Sequence, residues 1–126
     1  MKVLQIVETA YRATIEEQDD TIVWLTHAMK GAGGDFTVLL RGAAANYALT
    51  GQDASGLAFG DWKQTEPPHV DKDLAALMAK GVEVYVVEED AVERGLGNAP
   101  MIDGIKRVRR AGLARLVAQH DQVWHW

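Results

Sequence analysis

Residues 75–96 read AALMAKGVEVYVVEEDAVERGL, and this stretch decides the fold. Its first part continues a helix that starts at Asp71, in which Leu74, Leu77 and Met78 fall inward at helical spacing and Gly81 closes the last turn. Val82–Val87 (VEVYVV) is then a strand, rich in β-branched residues, that runs without a break into Glu88, Glu89 and Asp90. A short helix over Ala91–Gly95 and a GNAP turn follow. Strands and helices that alternate in this way make an α/β fold with a mainly parallel sheet.

The pattern extends in both directions. Upstream, Asp35–Leu40 (DFTVLL) is a second strand, followed by Arg41-Gly42 and by AAANYAL (43–49), a small-residue helix able to approach a sheet closely. Val3–Val7 (VLQIV) is a first strand. After it, the polar segment Thr9–Asp20 carries Glu16, Glu17, Asp19 and Asp20, acidic residues suited to the start of a helix. From Glu17 to Lys30 the apolar Ile22, Val23, Leu25, Ala28 and Met29 share one face, and Gly31, Gly33 and Gly34 stop the helix. Downstream, one helix over Ile105–Gln119 would hold Gly112 at its centre, at a cost of about 1 kcal/mol relative to alanine. A strand at Ile105–Val108, a helix at Arg110–Gln119 and a strand at Gln122–Trp126 fit better. Residues 51–69 have turn composition and no period, and a loop of that length is either functional or mobile. The expectation is a single domain over residues 1–126, with helices on both faces of the sheet.

Composition narrows the chemistry. The 126 residues include no cysteine, which removes disulfides, a CxxC redox pair, thiolate metal sites and a thiol nucleophile. The net charge of −5 is uneven: residues 1–93 carry 7 basic and 16 acidic groups, and residues 94–126 carry 6 basic and 2 acidic. Lys106, Arg107, Arg109, Arg110 and Arg115 are too few and too local for a nucleic-acid footprint on an acidic domain, and suit a solvated or subunit-facing edge. The opening MKVLQIVETAYR turns charged too soon for a signal peptide, and no apolar run approaches 18 residues. A cytoplasmic protein with no membrane or nucleic-acid partner is expected.

In an open parallel sheet, ligands collect beyond the carboxyl ends of the strands, where the strand order reverses. That rule selects Glu8 and Thr9, then Arg41, Gly42 and Asn46, then Glu88 and Glu89 with Asp90. Such a rim suits a cationic or polar ligand. A plainer reading is an ion pair of Arg41 with Glu8 or Glu88 that closes the rim, with the acidic triplet at the start of the next helix. His27, His69, His120 and His125 include no pair at i, i+3 or i, i+4 on one helix, so no metal site is expected. GAGGD (31–35) leaves a helix for a strand, the wrong context for a phosphate cradle, and Ser55, the only serine, lies in no nucleophile elbow. No cofactor is expected. Trp124 and Trp126 share a face of the last strand and suit packing on a helix or a partner subunit. Phe59 and Trp62 suit an interface or a lid, or else pin their loop to the body.

Taken in order, KVLQIVE (2–8), DFTVLLRG (35–42), AALMAKGVEVYVVEEDAVERGL (75–96), PMIDG (100–104) and RLVAQHDQVWHW (115–126) resemble the DsrE/DsrF-like proteins, which include sulfur-relay subunits of tRNA thiolation. The resemblance implies a five-stranded, flavodoxin-like three-layer sandwich that assembles as a dimer, trimer or hexamer. In the family's active carriers a cysteine just after the third strand accepts a persulfide. The aligned position here is Val87, or at most Glu88, and neither supplies a thiolate. The implied protein has lost persulfide transfer and acts as a non-catalytic binding or scaffold subunit, with a protein partner in a sulfur-related complex. Two alternatives stand beside it. One is a small-molecule-binding protein or enzyme that uses a pocket of Glu8, Arg41, Glu88 and Glu89, in which a buried carboxylate serves as general acid or base. The other is a homo-oligomer with no property beyond its fold.

Overall fold

The computed structural model describes residues 1–11, 20–52 and 56–126. Its strands are β1 (Lys2–Val7), β2 (Asp35–Leu40), β3 (Ala58–Phe59), β4 (Trp62–Lys63), β5 (Glu83–Val87), β6 (Lys106–Val108) and β7 (Gln122–His125). The α-helices are α1 (Thr21–Gly31), α2 (Val70–Ala79), α3 (Glu88–Glu93) and α4 (Leu113–Ala118), with 3₁₀ turns at Gly42–Ala48 and Arg110–Gly112. Five strands form one all-parallel sheet in the order β6-β5-β2-β1-β7. The arrangement is flavodoxin-like, with the last strand lying outside β1.

Side chains alternate across this sheet. Val7, Val38, Leu40, Val84 and Val86 face Ile22 and Val23 of α1, Leu74 and Leu77 of α2, and the buried Ala44, Ala45, Tyr47 and Ala48. Leu4, Ile6, Leu39 and Val87 face the other way, onto Leu116 with Leu113 at its margin. The sandwich is therefore lopsided. The second face is roofed by the six residues of α4, and Val117 of that helix and Val123 of β7 remain exposed.

Local sequence explains where elements begin. Asp20 is the N-cap of α1, its Oδ1 accepting from Ile22 N at 2.9 Å and Val23 N at 3.1 Å, so the helix starts at Thr21. The expected start at Glu17, with Glu16 and Asp19, lies outside the described residues, as does Ser55. The segment 43–49 forms a 3₁₀ turn instead of an α-helix. Its buried pairs, Ala44 with Tyr47 and Ala45 with Ala48, recur every three residues, which is the 3₁₀ period. In the tail Gly112 ends the 3₁₀ turn and precedes α4, and so avoids a mid-helix position. The stretch 51–69 contains the hairpin β3-β4, in which Phe59 pairs with Trp62 at a ring separation of 6.0 Å. Phe59 is 64% exposed, so it does not pin the loop to the body. Among the described residues no helix is long and apolar enough to cross a membrane.

Candidate functional site

The strand order sets where a ligand crevice opens. From β1 the chain steps through β2, β5 and β6 toward one edge, with α1 and α2 on one face, and then α4 crosses on the other face to bring β7 to the far side of β1. The strand order reverses between β1 and β7, whose carboxyl ends lie side by side.

The residues gathered there are polar and mostly charged. His125 Nε2 lies 2.6 Å from Glu8 Oε2, and because a carboxylate only accepts, the ring proton sits on Nε2. Glu8 Oε1 faces Arg41 Nε at 3.9 Å. Gly42 N donates to Asp90 Oδ2 at 2.7 Å, and the Arg110 guanidinium donates to Asp90 and to both oxygens of Glu93. Following the sheet from β7 to β6, the rim reads His125, Glu8, Arg41, Asp90, Arg110: one residue from each strand end. Burial pushes the Asp90 carboxyl up, but the Gly42 N–H and the Arg110 guanidinium outweigh it and hold it below the usual range. Gly42 sits at φ +54°, and a Cβ there would meet Glu8 Cγ at 3.0 Å. The glycine lets the β1 and β2 ends close together.

Below the rim, Gln5 is fully buried and bridges two elements. Its Oε1 accepts from Trp126 Nε1 at 2.6 Å and its Nε2 donates to Thr26 Oγ1 at 3.1 Å. Trp126 O in turn accepts from Glu8 N and Thr9 N. Trp124 packs edge-on against Phe36 at 5.9 Å, so both tryptophans serve the α1 side of the sheet. A second cluster lies at the end of β1. The buried Tyr47 hydroxyl donates to Asp20 Oδ2 at 2.6 Å and accepts from Tyr11 N, and Tyr11 holds a left-handed backbone at φ +56°. Burial, with the Asp20 carboxylate, holds the Tyr47 hydroxyl far above the ordinary phenol range, so it remains a neutral donor. Gln52 completes the cluster, accepting from Tyr11 OH and donating to Tyr47 O and Leu49 O.

Of the residues selected by sequence, Glu8, Arg41 and Gly42 come together. Glu88 and Glu89 do not join them: Glu88 takes Arg107 at 3.1 Å, and Glu89 Oε2 accepts from Arg110 N at 2.9 Å. α3 begins at Glu88 itself, and a helix turns successive side chains by about 100°, so Asp90 reaches the β2 end while Glu88 and Glu89 turn to the β6 side. Thr9 is exposed, and Asn46 is half-buried in the 3₁₀ turn, where its carbonyl accepts from Leu49 N. Val87 is 1% exposed and packs in the core under α4.

Sequence reasoning missed His125, Arg110 and the Tyr47–Asp20 pair as site members. Asp20 was discoverable as an N-cap from its place before TIVWL. His125 was not, because its approach to Glu8 depends on β7 pairing with β1 in the register Ile6↔His125. Among the described residues no group of three or more metal-ligating side chains converges. A small cavity of about 60 Å³ lies apart from the rim, between α1 and α2, lined by Val23, Trp24, His27, Asp73 and Ala76.

The fold is similar to that in the crystal structure of the ychN protein from E. coli, with a TM-score of 0.73 and 21% identity over 100% of both chains. That likeness shows the fold alone. No family model matches the chain, and no curated protein matches it.

Proposed function

We propose that this protein is a cysteine-free, DsrE-like binding subunit that works through its surfaces, as a homo-oligomer with a protein partner in a sulfur-related complex of the cytoplasm. The observation that carries the reading is the end of β5. Val87 stands where the resemblance puts the sulfur-accepting cysteine, and it is buried in the core. Around it Asp90, Glu88 and Glu89 are each bonded to a neighbour, Asp90 to Gly42 and Arg110, Glu88 to Arg107 and Glu89 to Arg110 N. Such a strand end offers neither a nucleophile nor an uncommitted acid or base. The thin cover on the α4 face of the sheet, with Val117 and Val123 exposed, favours assembly there with a second copy. Light scattering during size-exclusion chromatography tests the reading. A mass at a multiple of 13.8 kDa is expected, and a 13.8 kDa species throughout a concentration series would overturn it.

A further inference from the structure

We propose that Arg41 anchors a binding site for a small monocarboxylate at the end of β2. Lys106, Arg107 and Arg110 each donate directly to a carboxylate. Arg41, at the end of β2, does not. Its contact to Glu8 Oε1, at 3.9 Å, is longer than a hydrogen bond, and its Nε is buried with no acceptor among the described residues. Glu8 does not close the gap because its other oxygen is held by His125 at 2.6 Å. A buried N–H without a partner is rare, and where one persists it marks a place that an absent acceptor fills. The remainder of the guanidinium reaches solvent, its side chain being 39% exposed, so a ligand can approach it.

The surroundings define what fits. A planar guanidinium presents paired N–H donors that match the two oxygens of a carboxylate. Glu8 and Asp90 flank Arg41 on either side of the rim, and their charges penalise a dianion such as phosphate more than a monoanion. A cation is disfavoured because both flanking carboxylates already hold donors, His125 for Glu8 and Gly42 with Arg110 for Asp90. This site is independent of assembly and of the missing thiol.

The test is a titration of the full chain with sodium acetate, followed by ¹H–¹⁵N spectra of the arginine Nε–H groups, with sodium chloride and inorganic phosphate at matched ionic strength as comparisons. The expected result is a saturable shift of the Arg41 Nε–H signal with acetate, absent with chloride and weaker with phosphate, while Arg107 and Arg110 stay still. Arg41→Lys, which keeps the charge and loses the fork, should raise the half-saturating acetate concentration by about tenfold, the equivalent of one lost charge-assisted hydrogen bond. The proposal is overturned if Arg41 shifts equally with chloride, if it shifts without saturating, or if a folded Arg41→Lys protein saturates as the parent does.

Discussion

Replacing Tyr47 with phenylalanine removes a single oxygen from a side chain that is fully buried, so its effect reads the polar cluster under the rim rather than packing. That oxygen makes two bonds in the structure, donating to Asp20 Oδ2 at 2.6 Å and accepting from Tyr11 N. Asp20 is 2% exposed, so its freed oxygen gains little water in exchange. Losing a hydrogen bond to a buried charged group costs about 1.5–3 kcal/mol, and the backbone N–H of Tyr11, which is 57% exposed, can turn to water instead. The Oδ1 bonds that cap α1 survive, which keeps the total near 2–3 kcal/mol. For a chain of this size that corresponds to a Tm lowered by about 6–15 °C. Urea unfolding followed by circular dichroism measures the change directly, with the slope m unchanged. Asp20→Asn alone and the double variant complete a cycle, whose coupling is expected above about 1 kcal/mol. A Tyr47→Phe protein within about 0.5 kcal/mol of the parent, or a cycle with no coupling, would refute the reasoning.

Three further outcomes follow from the rim and the strand beneath it. Asp90 has a lower pKa folded than unfolded, so it contributes stability that is present above about pH 4 and is lost as pH falls through its folded value; Asp90→Asn should cost about 1–2 kcal/mol at pH 7 and flatten the acid limb of the stability profile. Gly42→Ala combines a left-handed φ of +54° with a Cβ 3.0 Å from Glu8 Cγ, so it should destabilise by about 1–2 kcal/mol and move the His125 ring resonances as Glu8 swings away. Gln5→Leu leaves the Trp126 indole N–H without its acceptor, and hydrogen exchange at that one indole is expected to rise by at least about tenfold while the other three tryptophans are unaffected.

The sequence carried the sheet well because buried strands announce themselves: DFTVLL and VEVYVV are largely apolar runs that each follow a glycine helix stop, and each became an inner strand of the sheet. Even the short edge strand at Lys106–Val108 was legible, since Gly112 argued against a continuous helix. The 3₁₀ turn at Gly42–Ala48 was harder, because alanine favours an α-helix and only the buried spacing of Ala44, Ala45, Tyr47 and Ala48 reveals the tighter winding. The site was half legible. Glu8, Arg41 and Gly42 lie together, where the rule about strand ends puts them, whereas Glu88 turns to Arg107 because helix phase, not strand position, decides where its carboxylate goes. His125 and Arg110 enter the rim through long-range register and through α4 crossing on the opposite face, neither of which is written in local sequence.

The proposed assembly through the thinly covered sheet face is tested by the solution mass of the parent and of a Val117→Lys/Val123→Lys variant. Both positions are exposed in the single chain, so the substitutions should leave the fold and its circular dichroism intact. The account predicts a parent mass at a multiple of 13.8 kDa that falls to 13.8 kDa in the variant. A parent that is already a 13.8 kDa monomer, or a folded variant that keeps the parent's oligomeric mass, would contradict it.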